Sequence, residues 1–296
     1  MSGSSAAALE RIAAIVGPSG LVAPEDAALL LRDERGLYRG AAALVVRPAS
    51  TEQCAEVVRV CRDARIGIVP QGGNTGYCGG ATPFDGERRQ ILLSLARMNR
   101  VREIDPVGFT MTAEAGVVLA RAQEAAREHG LLFPLSMGSE GSAQIGGALS
   151  TNAGGVAVLR YGTMRDLVLG IEAVLPNGEV LAELKALRKD NTGYDLKQLF
   201  VGAEGTLGVV TAAVLKLFPA PRSRATAWIA VASVEAACRL LGAARRESGD
   251  AVVSAEYVSR RSLDLVLRHV EGARDPLSAP AEHYVLLELA SAGALS

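Results

Sequence analysis

Glycine placement is the constraint that any fold of this chain must satisfy. Gly72, Gly73, Gly76, Gly79 and Gly80 fall within nine residues. Gly138, Gly141, Gly146, Gly147, Gly154 and Gly155 fall within eighteen, and Gly193, Gly202, Gly205 and Gly208 form a third group. Glycine adopts left-handed backbone without steric cost and lets two chain segments, or a chain and a ligand, meet backbone to backbone. The total of 32 in 296 residues exceeds the usual share of roughly 7%, and no collagen-like period spreads it out. The excess belongs to particular loops, and it points to a backbone folded closely around something large and phosphate-bearing.

Between these loops, strand and helix signals alternate. Leu44, Val45 and Val46 form a short apolar run before Pro48. Ser50-Thr51-Glu52-Gln53 fits a capping box, and Cys54, Val57, Val58 and Cys61 follow with helical spacing. Residues 66–69 read as the next strand, ended by Pro70. This makes a βαβ unit with the first glycine cluster at its exit. Residues 91–95 are another apolar strand. Phe109, Met111, Ala113 and Ala115 alternate as in a half-buried strand, and residues 117–129 read as a helix closed by Gly130. Pro176-Asn177-Gly178 joins strands 168–175 and 180–184 as a hairpin. A long strand at 208–217 stops at Pro219 and Pro221, which mark a domain boundary. Beyond it, 226–232, 233–248, 252–258, 260–269 and 284–289 read strand, helix, strand, helix, strand.

Several function classes are disfavoured. The 31 basic and 32 acidic side chains leave a charge of −1, and aromatics are 4%. Nucleic-acid binding wants a basic face or a stacking platform. No apolar run approaches the ~20 residues of a membrane span. The opening residues make a poor secretory signal, and four cysteines without a C-x-x-C pair fit a reduced, cytoplasmic protein. Cys54 and Cys61 are expected to face the core, and Cys78 to be a buried or incidental thiol. No G-x-G-x-x-G follows a strand, no Gly-Lys dipeptide occurs, and there is no G-x-S-x-G elbow. His129, His269 and His283 lie far apart and read as surface or helix-end side chains rather than metal ligands or catalysts.

The segment PQGGNTG at 70–76 has two readings. Consecutive amides in a glycine-rich turn can form an anion nest suited to a pyrophosphate, or the loop simply needs flexibility. The run at 138–155, rich in small and hydroxyl residues, suits either an extended ligand or a tight crossing of backbone segments.

Motif order narrows the choice. PQGGNTG at 70–76, ARMNRV at 96–101, GSEGSAQIGGALSTNAGG at 138–155, RYG at 160–162 and RKDNTGYDLKQLFVGAEGTLGVVT at 188–211 occur in the order found in a known family. Over about residues 40–290 the chain resembles the FAD-linked D-2-hydroxyacid dehydrogenases of the vanillyl-alcohol-oxidase fold. It is most similar to the D-2-hydroxyglutarate dehydrogenases, and more distantly to D-lactate dehydrogenases and glycolate oxidase flavin subunits.

The resemblance implies an α+β fold: a two-subdomain, PCMH-type FAD-binding domain at 40–220, preceded by a helical lead-in at 1–39. A partial α+β substrate cap would follow at 221–296. Pro70, Gln71, Gly72, Gly73, Asn74, Thr75 and Gly76 would hold the pyrophosphate. Gly138, Gly141, Ser142, Gly146, Gly147, Asn152, Gly154 and Gly155 would line ribityl and isoalloxazine, with Tyr161 and Gly162 nearby. Glu204 and Gly205 would lead to Val209 or Val210 at the adenine. Many relatives carry a flavin-bonded histidine where Asn74 stands, so non-covalent FAD is expected. The implied reaction oxidises a small 2-hydroxy acid to a 2-oxo acid. Hydride passes from C2 to flavin N5, and electrons then leave to a quinone or an electron-transferring flavoprotein.

The family's catalytic histidines, acidic metal ligand and substrate-binding arginine lie downstream of Ser296. The expectation is therefore a truncated chain with its catalytic residues unassigned and no metal site of its own, cut short or completed by a second chain carrying that half. The alternative is a non-catalytic FAD-binding subunit or fragment that passes electrons within a complex. Asp195 is expected to cap a helix at 196–200. Arg188, Lys189, Tyr194 and Lys197 could approach the flavin. Gly73→Val is expected to abolish flavin retention by blocking backbone approach to the phosphate.

Overall fold

The structure, a computed structural model, describes residues 2–84, 86 and 89–293. Met1 and residues 294–296, the ends of the expected lead-in and cap segments, lie outside the described residues. The chain divides into two compact units. One comprises Met1–Phe133, Met137–Ala153 and Thr163–Phe218; the other comprises Pro134–Ser136, Gly154–Gly162 and Pro219–Ser296.

The first unit opens with helices α1 (Ser2–Val16) and α2 (Pro24–Leu30), then β1 (Leu44–Val46), α3 (Thr51–Ala64), β2 (Gly67–Gln71) and β3 (Gln90–Ser94). The three strands form a parallel sheet in the order β1-β3-β2. The apolar stripe of α3 packs with Ile12 and Val16 of α1 against Val46, Ile91 and Leu93. Ser50 caps α3 by accepting from the Gln53 amide, whereas the Gln53 side chain accepts from the Ala49 amide, one residue before the position a capping box uses.

Pro70 does not end β2. The strand runs on to Gln71, with Pro70 opposite Leu93. β2 is an edge strand, so proline there removes no bond to a second neighbour.

Next come β4 (Val101–Asp105), β5 (Thr110–Glu114), α4 (Leu119–Glu128), β6 (Leu131–Leu132) and α5 (Ile145–Ser150). After α6 (Val158–Tyr161), which belongs to the other unit, follow α7 (Met164–Leu167), β7 (Val168–Val174), β8 (Val180–Glu183), α8 (Lys197–Phe200) and β9 (Val209–Lys216). A five-stranded antiparallel sheet takes the order β4-β5-β9-β7-β8. The hairpin between β7 and β8 closes where expected, with Gly178 at φ 81° and its amide on the Leu175 carbonyl. β5 departs from a half-buried strand. Thr110, Met111, Ala113 and Glu114 are all buried, and Phe109 sits outside the strand with φ 54°. An interior strand covered on both faces loses its alternation, and its polar positions must find partners instead.

After β10 (Phe218–Pro219), the second unit contains β11 (Ser223–Val231), α9 (Val234–Glu247), β12 (Val252–Ser259), α10 (Arg260–His269) and β13 (His283–Ser291). The sheet is antiparallel in the order β11-β13-β12. Ala237, Leu240, Leu241 and Ala244 of α9 pack with Val252, Val285 and Leu287 on one sheet face. Ser233 and Ser259 cap α9 and α10. Tyr284 is fully buried, and its hydroxyl oxygen accepts from Arg260 and from the Ala281 amide.

Cys54 and Cys61 face the core, and burial pushes both thiols up to about 12. Cys78 and Cys238 are exposed. A thiol reagent at neutral pH should therefore titrate two cysteines in the native chain and all four after denaturation. A native count above two would contradict this packing.

Candidate functional site

β2 delivers the chain into the first glycine loop. Among the described residues, no protein group accepts from the backbone N–H of any residue from 72 to 76. The first four of these residues are half-buried. Asn74 at φ 54° turns the loop through left-handed backbone, as successive amides converging on an anion require. The Asn74 side chain, expected to donate at the phosphate, donates instead to the Arg32 carbonyl at 2.8 Å.

Two further segments close on this loop. A Cβ placed on Gly73 would lie 2.0 Å from the Ser142 carbonyl oxygen, and one on Gly72 would lie 3.4 Å from Gly147. A Cβ on Gly146 would lie 2.7 Å from the Ala115 Cβ, and the Gly146 amide donates to the Ala115 carbonyl at 2.8 Å. A Cβ on Gly205, at φ 78°, would meet Pro70 at 2.6 Å. Glycine at 73 is thus demanded by a backbone crossing within the chain itself.

Gly76, Gly138 and Gly141 behave differently. Their φ values lie outside the left-handed range, they are exposed, and a Cβ on any of them would meet nothing within 4 Å. Nothing within the chain requires glycine at these three positions. Buried Oε1 atoms of Gln71 and Gln144 lack a hydrogen-bond partner, although the Gln71 amide nitrogen donates to the carbonyls of Leu30 and Ala81. Gln144 was not singled out by its local sequence; only its burial marks it.

The remaining expected residues fall in several places. Asn152, at φ 48°, accepts from the Arg165 amide, so its carbonyl oxygen serves the fold. The Glu204 amide donates to the Ser150 carbonyl, and the Glu204 carboxylate comes within 2.9 Å of a Cβ placed on Gly80. Val209 and Val210 are buried, Val209 among the α1 and α3 core residues. Thr75 stays in the loop, and exposed Ser142 supplies the crossing carbonyl.

Gly154, Gly155, Tyr161 and Gly162 belong to the second unit. There Gly155 crosses the Ser136 carbonyl, and Arg160 donates to the Ala290 carbonyl beside Tyr161. Arg188 donates to the carbonyls of Phe109 and Leu217, and Tyr194 is 93% exposed. Asp195 does not cap α8: that helix starts at Lys197, and the carboxylate instead pairs with Lys197 at 2.6 Å. The His129 ring bonds the Ala125 carbonyl, and His283 bonds the Tyr257 hydroxyl.

A charge network centred on the buried Glu114 lies beside this region. Glu114, 1% exposed, accepts from the Arg100 amide and guanidinium and from Arg102. Arg102 reaches Glu172, which also accepts from Thr51 at the start of α3 and from Thr211 on β9. Burial alone would raise Glu114, but the Arg100 and Arg102 bonds outweigh it and hold the carboxyl below its ordinary value. Glu172 is likewise held low, as Thr51, Arg102 and Thr211 together overcome its burial. The network ends next to Ala115, whose carbonyl holds Gly146.

Residues 42–182 match the FAD binding domain family. The chain is 40% identical over 267 residues to D-2-hydroxyglutarate–pyruvate transhydrogenase of Saccharomyces cerevisiae, covering 90% of this chain and 53% of that protein. It is 40% identical over 252 residues to the mitochondrial D-2-hydroxyglutarate dehydrogenase of Arabidopsis thaliana, covering 85% and 44%. The chain thus spans about half the length of the curated relatives it matches. In fold it is similar to an alkyldihydroxyacetonephosphate synthase, with a TM-score of 0.80 at 20% identity over 96% of this chain and 57% of the other. It is also similar to p-cresol methylhydroxylase, with a TM-score of 0.74 at 20% identity over 98% and 61%. Among the described residues no helix is long and apolar enough to cross a membrane.

Proposed function

We propose that the chain is the flavin-binding part of a dehydrogenase of D-2-hydroxy acids, because residues 42–182 match the FAD binding domain family and most of the chain is similar to D-2-hydroxyglutarate dehydrogenases. D-2-Hydroxyglutarate is the first candidate substrate. The supporting observation is five successive loop amides, 72–76, without a protein acceptor among the described residues, together with glycines at 76, 138 and 141 that no contact within the chain requires. FAD, when bound, supplies the two-electron acceptor for oxidation of the hydroxy acid.

The chain's own task is to bind and orient. The amides of residues 72–76 meet the diphosphate charge with dipoles, and Gly76, Gly138 and Gly141 leave room for close approach. Ser142, Gly146 and Gly147 hold the second wall, and Glu204 and Gly205 the third. Asn74 offers no nucleophilic ring nitrogen, which favours non-covalent FAD. In this reading 40–220 is the flavin domain and 221–296 the first part of a substrate cap. The groups that take the substrate proton and bind its carboxylate come from the portion of the relatives this chain does not span, in one polypeptide or a second. Electrons leave to a quinone or an electron-transferring flavoprotein. The proposed location is the cytoplasm, supported by four free cysteines, although several relatives carry a mitochondrial designation.

Purified chain should be yellow and release FAD on heating, in roughly stoichiometric amount. Colourless protein that takes up no added FAD would contradict the cofactor. Anaerobic bleaching by the D but not the L enantiomer of 2-hydroxyglutarate, with the remainder of the enzyme supplied, tests the reaction. Flavin left oxidised by D-2-hydroxyglutarate, D-lactate and glycolate alike would refute the substrate class while leaving the cofactor intact.

A further inference from the structure

Residues 32–39 form a small hairpin closed by Arg32 bridging to Arg39. Asp33, 2% exposed, locks it: its carboxylate accepts from the amides of Tyr38 at 2.6 Å and Arg35 at 3.2 Å, and its own amide donates to the Tyr38 carbonyl. Nothing in the local sequence marked this segment as part of a site. Yet the hairpin meets the glycine loop along its length. Asn74 donates to the Arg32 carbonyl, the Arg35 guanidinium lies 3.9 Å over the Tyr77 ring, and the Tyr38 ring fills the place where a Cβ of Gly79 would stand.

Asn74 occupies the middle of the five free amides, and its φ of 54° is a conformation that a non-glycine residue holds only at a cost. The bond from its side chain to Arg32 offsets that cost and sets the direction of the flanking N–H groups. We propose that the Asp33-locked hairpin is a strap that, through Asn74, presets the glycine loop for the diphosphate of FAD. Asp33 and Asn74 are then positioning residues. The proposal rests on the reading of this loop as the FAD cradle.

The test is FAD binding by the apoprotein, followed by quenching of flavin fluorescence, for the unaltered chain, Asp33→Ala, Asn74→Gly and the double variant. Asn74→Gly keeps left-handed backbone accessible while deleting the strap bond, so its effect reports the strap rather than the turn. Each single change should weaken FAD binding about tenfold, the scale of one well-made hydrogen bond. The double change should be no worse than the weaker-binding single variant, because both act through one contact. In the unaltered chain, FAD should slow tryptic cleavage at Arg32, Arg35 and Arg39, and in Asn74→Gly it should not.

Losses that multiply in the double variant, single variants that bind FAD as tightly as the unaltered chain, or cleavage of the unaltered chain indifferent to FAD would each overturn the strap. The proteolysis arm does not use Asp33→Ala and stands even if that variant fails to fold. An unaltered chain that binds no FAD would overturn the cradle reading together with the strap. Tight FAD binding that ignores the strap overturns the strap alone.

Discussion

Valine at position 73 and valine at position 76 should both abolish FAD binding, by about a hundredfold or more, yet only the first should damage the apoprotein. At Gly73 the new Cβ would stand 2.0 Å from the Ser142 carbonyl oxygen and 2.8 Å from its carbon. These are backbone atoms that no rotamer change can move aside, so the loop or the 137–143 turn must shift. Forcing atoms into packed space costs about 1–3 kcal/mol even where side chains can yield. A melting temperature lower by roughly 4–10 °C follows for a unit of this size. At Gly76 the Cβ meets nothing within 4 Å and φ lies outside the left-handed range, so the apoprotein should melt within about a degree or two of the unaltered chain. The side chain would nevertheless project where the diphosphate must come.

Melting curves without FAD and fluorescence titrations with it separate the two effects. Gly76→Val binding FAD normally would show that the ligand does not approach that side of the loop. Gly73→Val melting normally would show that the crossing with Ser142 is slack.

These two glycines also show what was legible before the structure. The βαβ unit, the hairpin at Pro176-Asn177-Gly178 and the cap of α3 rest on local chemistry, and local patterns expose them. The first glycine loop was legible as a place, but its glycines serve different ends: Gly73 makes room for Ser142, 69 residues onward, and Gly76 for no part of the chain. Spacing cannot separate the two uses.

Pro70 departs from its expected role for a related reason. A proline ends an inner strand and not an edge strand, and edge status depends on β3, which follows later in the chain. β5 lost its alternation because both its faces are covered. Asp195 found Lys197 two residues away, and a cap would have required α8 to begin earlier. The crossing of Gly155 with Ser136, which binds residues 154–162 into the second unit, is announced by no periodicity. The strap stayed invisible because its decisive contact uses a backbone carbonyl, that of Arg32, which carries no residue identity.

Replacing Glu114 with alanine should destabilise the first unit by about 2–4 kcal/mol, or roughly 5–12 °C in melting temperature. Much of its acid sensitivity should vanish with it. The carboxylate accepts from the Arg100 amide, the Arg100 guanidinium and Arg102 while almost wholly buried. Its loss leaves a cavity and the Arg100 amide without its acceptor. The exposed end of the network gives less: Arg100 is 74% exposed, and solvent screens what that pair contributes.

The pH dependence has a definite direction. Glu114 and Glu172 are both held below their ordinary folded-state-free value by Arg100, Arg102 and hydroxyl donors that outweigh burial. A depressed carboxyl contributes stability that is present above the unfolded value, roughly pH 4.3, and is lost as pH falls through the lower folded value. Melting temperature should therefore be flat with respect to this network from neutrality to about pH 5 and fall below it. Glu114→Ala should fall less steeply, because fewer protons are taken up on unfolding. Since the Ala115 carbonyl holds the Gly146 amide, the same variant should also loosen FAD at neutral pH. An acid limb as steep in Glu114→Ala as in the unaltered chain would place the titrating carboxylates elsewhere, and unchanged FAD affinity would uncouple the network from the cradle.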